Sequence, residues 1–376
     1  MKVLHVVTLH TPTHEFGGPT RVALSQVRGL RERGERAVLV ALGDGFGGAE
    51  LPREVEGVPV RLFHARHVLP RFEVSGITSP QLLARAWEFV RSADIVHVHL
   101  MRDLITLPFA LLAVRAGTPL VLQTHGMVDP TEKRVARLVD ALGVRRVLRR
   151  ADAVLYLTER ERRETAAVVA PEPIGPQYRL VNGVPAGTER RRTDGPPTVL
   201  YLARIQEGKR PRDFVAAMPA VLAKHPDARF VLAGPDTGGL AETLALAEEL
   251  GVRGALDSIG AIDGRDRVMA QLRAADVFVL PSVQDAFSVS VLESMSVGTP
   301  VVVTATTGLA PDVERAGAGR VVPHGGAIGD AVLELLDPAA NELASRAAFE
   351  LVRDSFTIDG VLDTLLDVYG RVSARG

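Results

Sequence analysis

Short apolar, β-branched runs recur along this chain, several of them unbroken, with stretches of helical spacing between them, and the alternation starts twice. The first series falls at residues 3–7, 37–42, 58–63, 95–98, 120–123 and 153–157. Runs without polar alternation suit strands buried on both faces of a parallel sheet. Between them lie helix-period stretches such as 20–33, stopped by Gly34. Around 187–197 the sequence GTERRRTDGPP is charged and rich in Pro and Gly, and reads as a linker. A second series follows at 199–203, 229–233, 255–259, 277–280, 300–303 and 320–322, with helices expected at 213–224, 239–250, 264–274 and 288–297. The expectation is an α/β chain of two Rossmann-like, doubly wound domains, 1–187 and 198–355, facing a cleft that takes a ligand.

Composition narrows the function. At 376 residues the chain exceeds one ordinary domain, and 46% apolar residues supply two cores. A formal net charge of -1 argues against a dedicated nucleic-acid binder. Without cysteine there is no disulfide framework and no thiolate zinc site. The start, MKVLHVVTLH, lacks the long apolar core of a signal peptide, and no run approaches the ~20 apolar residues of a membrane span. A cytoplasmic globular enzyme is expected. Lysine is rare, at positions 2, 133, 209 and 224 among 44 basic residues, so a retained lysine draws notice.

Three segments carry chemistry. The first βα turn, residues 10–20, is not G-x-G-x-x-G, which removes the best support for a nicotinamide dinucleotide. Gly17, Gly18 and Pro19 still open a helix whose N–H groups suit a phosphate, although Pro19 is also an ordinary helix opener. After the first strand of the second series, Arg204 and Lys209 are two cations able to grip a diphosphate; two ordinary basic residues on a solvated loop would look alike. In residues 280–295 a strand ends at Pro281 and a helix starts near Ser288, which puts Asp285 in the intervening loop and Glu293 inside the helix. The N–H groups of Phe287 and Ser288 could meet sugar hydroxyls, and a carboxylate can accept from two vicinal hydroxyls. Asp285 could instead cap the helix. Glu293, between Leu292 and Met295, needs a polar partner if buried.

With these segments in view, the whole chain resembles family 4 of the retaining glycosyltransferases, which have the GT-B fold. Asp285 and Glu293 match that family's E-x7-E spacing, with Asp in the first position. Gly17-Gly18, His125-Gly126, Leu157-Thr158-Glu159, Asn182-Gly183-Val184 and the Arg204/Lys209 pair match in the family's order. The resemblance implies a nucleoside-diphosphate sugar donor, UDP- or GDP-linked, and transfer without a metal or other cofactor. It implies that Gly17, Gly18, Arg204 and Lys209 hold the diphosphate and Glu293 the ribose. Asp285, Ala286, Phe287 and Ser288 would hold the donor sugar, His125 would lie beside its reacting carbon, and Ala261 and Ile262 would meet the base through their backbone. His125 and Asp285 are thus the catalytic candidates, and the C-terminal helix 356–376 is expected to pack back on the first domain. Catalysis would rest on positioning and on stabilising the departing diphosphate.

Two departures stand out. Asp285 is one methylene shorter than the family's Glu, and Ala286-Phe287-Ser288 replaces G-F-G. If those glycines need φ > 0, Ala and Ser strain the turn. The donor-sugar pocket is therefore expected to be unusual. A non-catalytic, nucleotide-binding partner on the same fold is the alternative these departures support. A UDP-sugar 2-epimerase would show other acids and histidines, and a glycosidase would need two flanking carboxylates. The acceptor is unspecified: a glycan, a lipid-linked sugar or a small molecule, with Thr124-His125-Gly126-Met127 resembling builders of exopolysaccharide and lipopolysaccharide. Residues 133–150 form a basic helix with Asp140 its one acid. It reads either as a helix packed on its own domain or as a peripheral contact with the anionic inner face of a membrane.

Overall fold

The computed structural model describes residues 1–12, 18–47, 50–189, 195–283 and 285–374, with the Glu73 side chain set aside. The chain forms two compact units, Met1–Asn182 with Ile358–Gly376, and Gly183–Thr357.

The first unit contains β1 (Lys2–His10), β2 (Arg36–Gly43), β3 (Glu54–Val55), β4 (Val58–His64), β5 (Arg66–His67), β6 (Ile77–Thr78), β7 (Ile95–His99), β8 (Leu120–Gln123), β9 (Ala153–Tyr156) and β10 (Gln177–Arg179). Its main sheet runs β10-β9-β8-β7-β1-β2-β4-β3, parallel throughout except for the β3–β4 edge pair. The direction of winding reverses between β1 and β7, the topological switch point of such sheets. Every residue of β7 and β8 is buried, the polar His97, His99 and Gln123 included.

One face of this sheet meets the helices Gly18–Glu32 and Ile358–Ser373. The second helix buries Val361, Leu362, Leu365, Val368, Tyr369 and Val372, an i, i+3/i+4 stripe on an otherwise acidic and polar segment. Gly29 lets the two helices touch: a Cβ there would fall 2.1 Å from Leu362 Cδ1. The opposite face packs on Pro80–Arg91 and Thr106–Ala116.

The second unit contains β11 (Thr198–Leu202), β12 (Arg229–Ala233), β13 (Leu256–Gly260), β14 (Val277–Leu280), β15 (Val301–Thr304) and β16 (Gly319–Val322), all parallel, in the order β13-β12-β11-β14-β15-β16. Its switch point lies between β11 and β14. Residues 183–187, read from sequence as the end of the first domain, group with this unit instead. Val184 bridges Thr357 and donates its N–H to Phe356 O at 2.9 Å, and Gly187 abuts the Ser296 backbone.

Candidate functional site

In the second unit the chemistry gathers at the carboxyl ends of the two switch-point strands. After β11 the chain passes Arg204 and a 3-10 turn, Glu207–Lys209, then turns left-handed at Arg210 before the helix Pro211–Ala216. After β14 it runs through Ser282 and Asp285 to Ser288, whose hydroxyl caps Val289–Ser296 by accepting from Val291 N at 3.5 Å. The two loops are tied together. Val283 N and Ser282 Oγ both donate to Gly208 O at 3.2 Å, and Lys209 Nζ donates to Asp285 Oδ2 at 2.5 Å. Those two side chains are only 18% and 11% exposed, so the pair is shielded from most competing water. A third loop locks Asp285 from the other side, through Gly308 N to Asp285 O at 2.8 Å and a bridge to Thr307.

This geometry resolves the open readings around Asp285. Ser288, not Asp285, is the helix cap, and Asp285 is the partner of Lys209. The strain expected at Ala286 and Ser288 is absent. Ser288 has φ -73° and ψ 119°, and Ala286 is not among the positive-φ residues. Ser288 thus replaces a family glycine where the backbone takes an ordinary extended course, and neither position supplies strain in support of a non-catalytic reading. Phe287 is buried edge-on against Phe356, ring centroids 5.7 Å apart, so its side chain anchors the loop. Glu293 is buried in the helix after Ser288, and Arg204 is half-buried beyond β11. Beyond β13, Ala261 and Ile262 line a pocket of about 310 Å³ with Ile259, Asp263, Arg267 and Gln271.

In the first unit, Gly18 is the exposed first residue of its helix, and Thr20 Oγ1 ties that helix start to Leu9 O at 2.7 Å. Gly17 lies outside the described residues. His125 follows β8 in a left-handed pair of residues, φ 51° at His125 and 72° at Gly126. A non-glycine residue held there is strained by about 1 kcal/mol or more and persists only where its surroundings fix it. Glu161 does the fixing. Its Oε1 accepts from Thr124 Oγ1 and Gly126 N, and its Oε2 from Leu157 N, each at 2.6 Å. Burial pushes this carboxyl up from its ordinary pKa, against the pull of those three donors.

The His125 ring is set from below. Its Nε2 lies 2.7 Å from His99 Nδ1, and the rings stack with centroids 5.1 Å apart. His99, His97 and His5 form a fully buried row beneath it, and Tyr369 OH completes the row at 2.7 Å from His97 Nδ1 and 3.2 Å from His5 Nε2. Burial lowers all four histidines from their ordinary pKa, His5 and His125 to about 3, and at His97 and His99 repulsion from the neighbouring rings adds to it. Sequence reading missed Glu161 and this row. The signals were present as Thr158-x-x-Glu161 at a helix start and as His97-x-His99 within a strand.

The basic segment is a continuous helix, Arg134–Val139 and Arg145–Arg150 joined by a π turn, Asp140–Val144. Val144, Val147 and Leu148 are buried, but Val135, Leu138 and Leu142 stand 51%, 58% and 72% exposed. Asp140 does not offset the surrounding arginines, because it is clamped by Arg102 at 2.8 and 3.1 Å. Among the described residues no helix is long and apolar enough to cross a membrane.

Comparison with known proteins adds two family matches. The profile described as "Glycosyl transferase 4-like domain" matches residues 17–176, and that described as "Glycosyl transferases group 1" matches residues 188–348. A D-inositol 3-phosphate glycosyltransferase of Salinispora tropica is 28% identical over 99% of this chain and 85% of its own length. A 2-deoxystreptamine glucosyltransferase of Streptomyces kanamyceticus is 29% identical over 94% and 98%. Among solved structures, Anabaena HepE in complex with UDP superposes with a TM-score of 0.78 at 16% identity, covering 98% of this chain and all of that one. A sucrose-phosphate synthase of Thermosynechococcus elongatus gives 0.76 at 18%, with full coverage of both.

Proposed function

We propose, from the premise that this chain belongs to family 4 of the GT-B glycosyltransferases, that it moves a sugar from a UDP- or GDP-linked donor to an acceptor, with retention and without a metal. The observation that carries this reading is the Lys209–Asp285 pair at the switch point of the second sheet. It sets a cation for a diphosphate beside a carboxylate for sugar hydroxyls, in the place where open α/β sheets bind ligands. Arg204 and Lys209 neutralise the departing diphosphate, the task a divalent ion performs elsewhere. The helix start at Gly18 adds N–H donors, Glu293 takes the ribose, and Ala261 and Ile262 take the base. The Phe287 and Ser288 backbone joins Asp285 on the sugar, and His125 contributes its ring beside the reacting carbon. The structurally similar Anabaena HepE, solved with UDP and with UDP-glucose, supports a uridine donor.

The test is a thermal-shift panel of UDP, GDP, ADP, dTDP, CMP and NAD on the wild type and Glu293→Ala. A diphosphate at a hundredfold excess over its Kd should stabilise the wild type by about 2.7 kcal/mol and leave the variant unmoved. Silence across the panel overturns the reading.

For the acceptor, the exposed Val135, Leu138 and Leu142 stripe flanked by Lys133, Arg134, Arg137, Arg145 and Arg146 favours a lipid-linked or cell-surface glycan. Apolar residues three and seven apart with basic residues around them suit an anionic bilayer surface, held from the cytoplasmic side. Cosedimentation with phosphatidylglycerol vesicles at low salt should capture the wild type and not Leu138→Glu/Leu142→Glu. No capture of the wild type would shift the acceptor to a small polyol, as in the names of the two relatives above.

A further inference from the structure

The buried row under His125 is more than packing, because its atoms form one unbroken hydrogen-bonded chain. From the inside outward it runs His97 Nδ1 to Tyr369 OH (2.7 Å), Tyr369 OH to His5 Nε2 (3.2 Å), His5 Nδ1 to His99 Nε2 (3.2 Å) and His99 Nδ1 to His125 Nε2 (2.7 Å). Pairing of β1 with β7 sets His5 against His97, and the C-terminal helix supplies Tyr369. A neutral imidazole has one N–H and one lone pair. Each imidazole link therefore dictates the next. Tyr369 could accept from both His97 and His5, but its own O–H would then be buried without an acceptor, so two arrangements satisfy every donor in the chain. In one, every proton points outward and His125 carries its proton on Nδ1. In the other, every proton points inward and His125 Nδ1 is bare.

The inner end selects between them. His97 Nε2 is buried without a hydrogen-bond partner. A buried N–H with no acceptor is rarer and costlier than an unfilled lone pair. His97 Nε2 is therefore the bare nitrogen, and the proton sits on Nδ1, where Tyr369 OH accepts it.

We infer that Tyr369, His97, His5 and His99 are positioning residues: they hold His125 in the single tautomer with Nε2 bare and Nδ1–H presented as a hydrogen-bond donor. This rests on the reading that His125 meets the donor sugar, where the donor would face a sugar oxygen. The nitrogens of His5, His97 and His99 also lie within 4.8 Å of one another, a spacing a cation could use. Five of those six nitrogens are, however, engaged in the chain just described. The His97 and His99 rings stack within 6° of parallel, so their lone pairs do not converge.

Long-range 1H–15N spectra of 15N-histidine protein at pH 7.5 test this directly, with the His125 signals assigned by their loss in His125→Ala. The wild type should show one His125 form, protonated on Nδ1. Tyr369→Phe keeps the ring but removes the link, and His125 should then populate both tautomers, with kcat on UDP-glucose down about fivefold and KM unchanged. A wild-type His125 protonated on Nε2 or averaged between forms overturns the inference without needing any variant to fold. So does a Tyr369→Phe spectrum like the wild type, or displacement of the His5, His97 and His99 signals by one equivalent of zinc. The tautomer readout needs no substrate. Full activity of His125→Ala would therefore defeat the assigned role of His125 while leaving the chain's existence to be judged on its own spectra.

Discussion

In the first unit the polar groups run through the inside of the sheet: His5, His97 and His99 lie in β1 and β7 with no exposed surface to speak of, and Glu161 is buried beside the turn they support. In the second unit the interior strands carry Val, Leu, Phe and Tyr, and the polar groups sit in loops beyond the strand ends, as with Lys209 and Asp285. Both sheets have the same central winding, reversing next to their first strand. The difference shows that one frame can hold a site in two ways. A loop pair can be exchanged with little effect on the core, whereas a row of buried imidazoles makes folding and site geometry the same property.

The largest consequence is acid sensitivity confined to the first unit. His5, His97, His99 and His125 have folded pKa values below the ordinary 6.5, lowered first by burial. Below pH 6.5 the unfolded chain binds protons that the folded chain refuses, so their contribution is full above 6.5 and is lost as pH falls towards about 3. At about 1.4 kcal/mol per pH unit for each titrating group, even one or two protons refused by this coupled row make the loss by pH 5 a large part of the unit's stability. Hydrogen exchange at pH 5 and 7, compared after correction for intrinsic rates, should show β1 and β7 losing protection while β11 and β14 keep theirs. Equal loss in both units would break the comparison.

Next in size is Glu161→Ala. It removes the acceptor of three hydrogen bonds and leaves the buried Leu157 N–H and the half-buried Gly126 N–H without partners, at about 3 kcal/mol. Urea unfolding should show that loss in the midpoint, and transfer activity should fall with it as the His125 turn relaxes from its left-handed conformation. A variant that loses stability yet keeps full activity would show that the turn does not depend on its clamp.

How much of this was legible in the sequence follows the same division. The strands were readable because parallel strands buried on both faces are mostly apolar, and residues 3–7 and 95–98 were marked as strands even with His5 and His97 inside them. What those histidines do was not readable, since it depends on β1 meeting β7 across some 90 residues and on Tyr369 returning from the far end of the chain. Asp285 and Lys209 were each marked from their loops, but their contact is a product of strand order. Ala286 and Ser288 misled because a glycine in a related motif need not have a positive φ, and the torsion is invisible in the letters. The exposed Leu138 and Leu142 were hidden similarly, since helical spacing gives a face but not what covers it.

The smallest expected effect is the sharpest test of the second unit as an exchangeable loop site. In Asp285→Glu the backbone stays anchored by Gly308 N and the Thr307 bridge, so the added methylene must carry the carboxylate about 1.5 Å further out. At 2.5 Å from Lys209 there is no room along the existing line, and the carboxylate must swing past the ammonium. Stability should change by only about 1 kcal/mol, because the shielded ion pair is rearranged but no apolar core contact is touched. Donor choice should change severalfold, read as the ratio of kcat/KM for UDP-glucose against UDP-N-acetylglucosamine and UDP-glucuronic acid. An unchanged ratio would mean that Asp285 serves Lys209 alone and does not touch the sugar. A loss of several kcal/mol would mean that this loop is bound into its core as tightly as His125 is into the first unit, and the contrast between the two would fall.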